Sequence, residues 1–226
     1  MRRAAPGVAV VLSALVVTGC GNTAGAATAD GPEAAAIAAA PSAPPAAERS
    51  TNGLAGLIVV PAGSVAGDSA DPAEQSGPFS RESYLDALSA EPAKDRALLL
   101  NAHFAEGYRS YRTSADRRKH ITVQIFRVGS KTQADTLRRG FWAQEPHDRP
   151  FTVPGVPDAL TDGRTVVSTS VGRSEAIAET SFVVGTLVTE ITVTQTGELT
   201  AGLTPDTALA ATITKQQKQS QTRKAG

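Results

Sequence analysis

Cysteine is nearly missing: one residue, Cys20, in 226. No intrachain disulfide can form, and no paired-thiolate chemistry is available. Aromatic residues make up 4% of the chain, with a single tryptophan. A sugar-stacking surface has little to work with. The three histidines, His103, His120 and His147, stand 17 and 27 residues apart. Neither spacing suits two ligands on one helix face, so no metal site and no cofactor are expected. Charge of one sign is absent overall, with 22 basic and 22 acidic residues. That balance argues against a nucleic-acid partner. No apolar run reaches the roughly 20 residues a spanning helix needs.

Catalytic signatures are also lacking. Gly172-Arg173-Ser174-Glu175 has no second glycine to make a nucleophile elbow. No serine is followed three residues later by lysine, and no glycine-rich phosphate loop occurs. Glu175, Glu179 and Glu190 offer carboxylates for a glycosidase-type pair. Acids on strand faces are more often simply solvated. The expectation is a non-catalytic protein.

What is present begins at the amino terminus. Arg2 and Arg3 precede an uncharged stretch, residues 4–17, whose apolar core runs from Val8 to Val17. This is the pattern of a secretion signal. The small residues Thr18 and Gly19 follow, and then the lone cysteine. Val17-Thr18-Gly19-Cys20 resembles the lipobox of a bacterial lipoprotein. The resemblance implies cleavage after Gly19, a diacylglyceryl group on the Cys20 sulfur, and attachment to the outer face of the cell membrane. One acyl chain binds reversibly, and two or three hold durably. Residues 21–52 contain thirteen alanines and four prolines. They cannot bury enough surface to order themselves, so residues 20–52 read as a lipidated, disordered tether.

From residue 53 to 218 the composition suits one domain. Residues 57–60 (Leu-Ile-Val-Val) suggest a strand, and residues 61–78 a loop. Ser80 and Pro92 suit the starts of two helices. Residues 106–112 and 120–128 read as a hairpin, with Ile121, Val123 and Ile125 alternating against Thr122 and Gln124. Ser130 with Gln133 suggests a capping box, and Ala134, Leu137 and Phe141 recur at helical spacing. Strands are expected over 164–171, 176–184 and 187–196. A helix should then open at Thr204-Pro205-Asp206, and residues 219–226 should trail off as a disordered tail. Hairpin-then-helix thus occurs twice, with Ile-Thr-Val at 121–123 and at 191–193. Shared strand composition accounts for this better than duplication. The expected fold is α+β, with an antiparallel sheet of about four to six strands packed by helices. The layout loosely resembles small envelope lipoproteins of high-GC Gram-positive bacteria.

Charge is unevenly spread. Residues 109–139 carry nine basic and two acidic side chains, and residues 140–210 carry nine acids and three arginines. One expectation is that Arg109, Arg112, Arg117, Arg118, Lys119 and Arg127 form a patch for an anionic envelope polymer or lipid head groups. The alternative is internal neutralisation against the acidic strands. Trp142, beside Phe141, belongs to the core or to the lip of a pocket near Phe151 and residues 153–157. The leading function is binding or scaffolding at the membrane. A lipid or solute carrier with a pocket between sheet and helices comes second, and an unrecognised hydrolase third.

Overall fold

The computed structural model describes residues 53–225 apart from 68, 148, 169–171, 200 and 201. The lipobox, the signal segment and the tether lie outside the described residues. Seven strands form one antiparallel sheet: β1 (Ser64–Ala66), β2 (Gly77–Phe79), β3 (Glu106–Ser114), β4 (Lys119–Arg127), β5 (Leu160–Ser168), β6 (Arg173–Val184) and β7 (Leu187–Glu198). Their order is β1-β3-β4-β7-β6-β5, with β2 also paired to β3. Among the described residues the α-helices are α1 (Arg81–Ala87), α2 (Pro92–Asn101), α3 (Lys131–Trp142) and α4 (Thr207–Ala225). This is the α+β single domain expected, with one strand more than the range anticipated.

Strand alternation sorts the side chains onto two faces. Ile121, Val123, Ala178, Phe182, Ile191 and Val193 point to one face and pack with Ala210 and Ile213 of α4. Phe126, Val183 and Val188 point to the other and pack under α1, α2 and α3. There, four rings surround Phe126: those of Phe79, Tyr84, Phe104 and Phe141, at 5.3–6.2 Å between centroids. Gly107 is required at this point. A Cβ there would lie 1.9 Å from the ring of Phe79.

The two Ile-Thr-Val segments are direct partners, with Ile121 opposite Val193 and Val123 opposite Ile191. A two-fold axis relating antiparallel neighbours would put both following helices on one face. They lie on opposite faces, so the repetition is one of strand composition.

Local signals explain most helix starts. Ser80 accepts from the Ser83 backbone, and Ser83 returns the bond in a capping box. Pro92 opens α2. Ser130 accepts from the Gln133 backbone at 3.2 Å, but the Gln133 side chain turns away to the carbonyl of Asn101. The box expected there is therefore half made. α4 begins at Thr207, and its cap is Asp206, which accepts from the Leu209 backbone at 2.9 Å. The cap expected at Thr204 falls two residues too early.

Three further expectations need correction. Residues 57–60 are not a strand: a 3-10 turn (Ala55–Leu57) leads into unpaired extended chain. The reason is Gln217 of α4, which accepts from the Val59 backbone at 2.8 Å and donates to the Leu57 carbonyl at 2.9 Å. One side chain supplies what a neighbouring strand would. The loop expected over 61–78 contains β1 and the start of β2. Finally, residues 219–225 are helix rather than tail. Gln221 is fully buried and donates to Thr189 Oγ1 at 2.8 Å, which ties the last turns to β7.

Candidate functional site

The helix-bearing face containing Phe126 is covered over only part of its extent. Two rows of side chains run across it in register. One row is Gln124, Glu190, Ser181 and Leu160; the next is Thr122, Thr192, Glu179 and Asp162. Seven of these eight side chains are polar, and the next row on the other side is Phe126, Val188 and Val183. The helices cover that apolar end. Beside it a pocket of about 180 Å³ opens between the sheet and α1–α3. Glu179, Ser181 and Glu190 form its floor, Tyr84 and Asp95 one wall, and Trp142 with His147 another. The rings of Trp142 and His147 meet edge to face with centroids 3.8 Å apart.

Carboxylates dominate. Asp95 is buried and accepts from Ser89 Oγ at 2.6 Å, from Gln144 Nε2 at 2.6 Å and from Tyr84 OH at 3.4 Å. All three of these donors are neutral groups. Glu179 is held by Arg164 through two bonds, Nη1 to Oε2 at 2.6 Å and Nη2 to Oε1 at 3.2 Å. Arg164 also pairs with Asp162 at 3.1 Å and with Glu145. Desolvation alone would lower the Arg164 pKa. The bonds to Glu179 and Asp162 and the field of Glu145 outweigh it and hold the pKa above its ordinary value. Three acids thus share one guanidinium, a geometry suited to bidentate pairing.

Glu190 is different. Among the described residues, no hydrogen bond or ion pair engages its carboxyl. Burial, followed by the fields of Glu179, Asp95 and Glu145, pushes its pKa up to about 8. A carboxyl so placed keeps its proton at neutral pH unless a positive charge arrives. Burial, then the fields of Glu190 and Asp95, likewise raises the Tyr84 phenol. Beside Glu190 on β6, Ser181 is 1% exposed and its Oγ has no partner. The Nδ1 of His147 is buried and unpartnered too. No lysine or arginine appears among the described residues that line the pocket. The described residues contain no cluster of three or more His, Cys, Asp or Glu able to hold a metal.

Of the carboxylates singled out in the sequence, Glu179 and Glu190 meet in this pocket and Glu175 does not line it. Trp142 is at a pocket lip, but a different one from that anticipated: Phe151 and Val153 pack on the α4 side of the sheet. His120 meets the hydroxyl of Tyr111 at 2.5 Å, and His103 sits in the left-handed region at the end of α2. Asp95, Glu145, Asp162, Arg164 and Ser181 were not singled out. Only register and helix packing bring them together, and neither leaves a local motif.

The basic residues of the β3–β4 hairpin are not one surface. Arg109 is partly buried under the helices, 5.7 Å from the Tyr111 ring centroid. Arg112 donates to Ser64 Oγ at 2.7 Å and to its carbonyl at 3.0 Å. Lys119 pairs with Asp206 at 2.5 Å, and Arg127 with Glu106 at 3.0 Å. Arg117 and Arg118 alone are exposed at the hairpin tip, Arg117 with a φ of 57°. Cys20, Val17, Thr18 and Gly19 lie outside the described residues.

Among the described residues, no helix is long and apolar enough to cross a membrane. No protein-family model matches the chain, and no curated protein matches it. Among solved structures, the chain is similar to the extracellular domain of PknH from Mycobacterium tuberculosis. The TM-score is 0.32 at 8% sequence identity, and the match covers 54% of this chain and 69% of that one.

Proposed function

We propose that the chain is an exported lipoprotein, anchored through Cys20 at the outer face of the cell membrane, whose domain binds a small solute without transforming it. The lipobox-like segment supports the anchoring. The binding reading rests on one observation: the pocket floor carries a buried hydroxyl, that of Ser181, left without a partner, beside the Glu190 carboxyl, with which no described side chain pairs. A buried unsatisfied hydroxyl costs about 1–3 kcal/mol. A fold keeps such groups where a ligand completes them. Two features favour binding over hydrolysis. Glu179 is locked to Arg164, and neither Ser181 nor His147 engages the other as nucleophile and base.

The test is native mass spectrometry of the full chain released gently from its own membranes. A co-purifying small molecule supports the binding reading; a bare mass contradicts it. The same preparation tests the anchor. Cys20→Ala should free the protein from the membrane fraction, and continued lipid labelling of that variant would contradict the attachment.

Arg117 and Arg118 support a lesser contact. Exposed at the hairpin tip, they suit anionic lipid head groups beside the anchor. Vesicles containing phosphatidylglycerol should retain wild type better than the Arg117→Ala, Arg118→Ala double variant at low salt. Equal retention would remove that contact.

A further inference from the structure

Resting on the binding reading above, we infer that the pocket takes a small organic cation, an alkylammonium or guanidinium group, seated on Glu190 and Ser181 with Trp142 at its lip.

Three independent features select that chemistry. The first is charge. Five carboxylates, those of Asp95, Glu145, Asp162, Glu179 and Glu190, lie in or around the pocket, and the one guanidinium among them, Arg164, is shared by three. The acids outnumber that one guanidinium, so an anion would be repelled, and a neutral solute would leave the excess charge in place. The second is hydrogen bonding. Ser181 Oγ, buried to 1% exposure and without a partner, is the cross-strand neighbour of Glu190. An ammonium donates three hydrogen bonds and a guanidinium five, and both groups can accept. The third is the wall. An indole face is the aromatic surface that attracts cations best, and Trp142 lines the opening with His147 against it. The volume of about 180 Å³ suits a short chain rather than a polymer. An organic cation is favoured over a metal ion because the described carboxylates are spread along the walls and form no ligand cluster.

The cation also displaces a proton. Charged or titratable groups facing Glu190 are Tyr84 from α1, Asp95 from α2, Glu145 and His147 after α3, and Glu179 from β6. Arg164 of β5 is bound to Glu179 and Arg109 of β3 lies in the same row beyond Gln124, but among the described residues neither pairs with Glu190. An arriving positive charge therefore converts Glu190 to its carboxylate, and one proton leaves for the solvent.

The experiment is isothermal titration of the full chain in detergent with agmatine and putrescine, beside neutral 1,4-butanediol and anionic succinate. The two amines should bind, and the two controls should not. Glu190→Gln should weaken amine binding about 10–100-fold, the range for losing a charge-assisted hydrogen bond. Ser181→Ala should weaken it about 3–10-fold and serves as the independent variant. Affinity should rise from pH 5 to about pH 8, with heats in buffers of different ionisation enthalpy reporting proton release. An Nα-acetylated lysine amide forms a second arm. Its binding alongside the amines supports the same ammonium site and places the source in a peptide side chain. Binding of butanediol or succinate, unaffected by Glu190→Gln, would overturn the cation assignment while leaving the pocket as a binding site. Failure of both amines to bind would overturn it as well, and a bare native mass would then remove the binding reading too.

Discussion

One face of the sheet is divided into two unlike halves. Around Phe126, Val183 and Val188 the helices close down and every ring has neighbours. Two residues along the same strands, the Ser181 hydroxyl has no partner, and among the described residues nothing pairs with the Glu190 carboxyl. Both halves belong to the same hairpin, so backbone geometry does not separate them. Side-chain chemistry does. Apolar residues pull the helices onto the sheet by removing surface from water, at about 25 cal/mol per Å². Carboxylates resist that closure, because each would lose hydration without gaining a partner. The pocket is the space left where the pull stops. In this reading the apolar half supplies stability, and the polar half gives some of it up to keep a site open.

The halves should respond oppositely to substitution, and the largest effect belongs to the apolar one. Phe126→Ala removes the ring at the centre of the aromatic cluster and should destabilise the chain by about 3–5 kcal/mol in urea unfolding. A loss below about 1 kcal/mol would mean that the helices are not held there. Arg164→Met leaves Glu179 and the fully buried Asp162 without their cation. Removing one partner of such a group costs about 3–5 kcal/mol, and the lower end is expected because Arg164 is 17% exposed. Next is Gln221→Ala at the far end of α4, which orphans the Thr189 hydroxyl. It should cost about 1–2 kcal/mol and expose residues 219–225 to proteolysis, whereas wild type resists cutting there. The smallest effect is at the hairpin tip. Arg117→Ala with Arg118→Ala should change stability by less than about 0.5 kcal/mol, as surface substitutions do.

Much of the apolar half was legible in the sequence. Ile121, Val123 and Ile125 alternate, Ser80 and Ser130 announce helices, and Ala134, Leu137 and Phe141 recur every three or four residues. These are local signals, and local signals survive without knowledge of the fold. What went unread depends on distant partners. Gln217 and Gln221 sit in a stretch, KQQKQSQTRK, that looks like a solvated tail by hydropathy. They are buried because the backbone at residues 57–59 and the hydroxyl of Thr189 reach them across more than thirty positions. Glu190 shows the same limit. Its alternation with Thr192 places it on the polar face, but nothing nearby says that α2 and α3 will roof that face. The acidic excess over residues 140–210 was visible as a number. Its focus around one pocket required the register of β5, β6 and β7.

The contrast between the halves turns on Glu190, and its pH dependence carries a definite sign. The folded-state pKa, about 8, lies above the ordinary 4.5. Between those values the folded chain holds a proton that the unfolded chain has released. Stability therefore falls as pH rises through that window, and the penalty is complete above it. Glutamine has no such titration. The most direct measurement is urea unfolding of wild type and Glu190→Gln from pH 4 to pH 9, without added ligand. The two should coincide within about 0.5 kcal/mol at pH 4, and the variant should become more stable by roughly 2–4 kcal/mol at pH 9. A gap that does not change with pH, or a variant weaker than wild type at pH 9, would mean that Glu190 has a partner in the folded chain and that the pocket is not the uncompensated acidic site described.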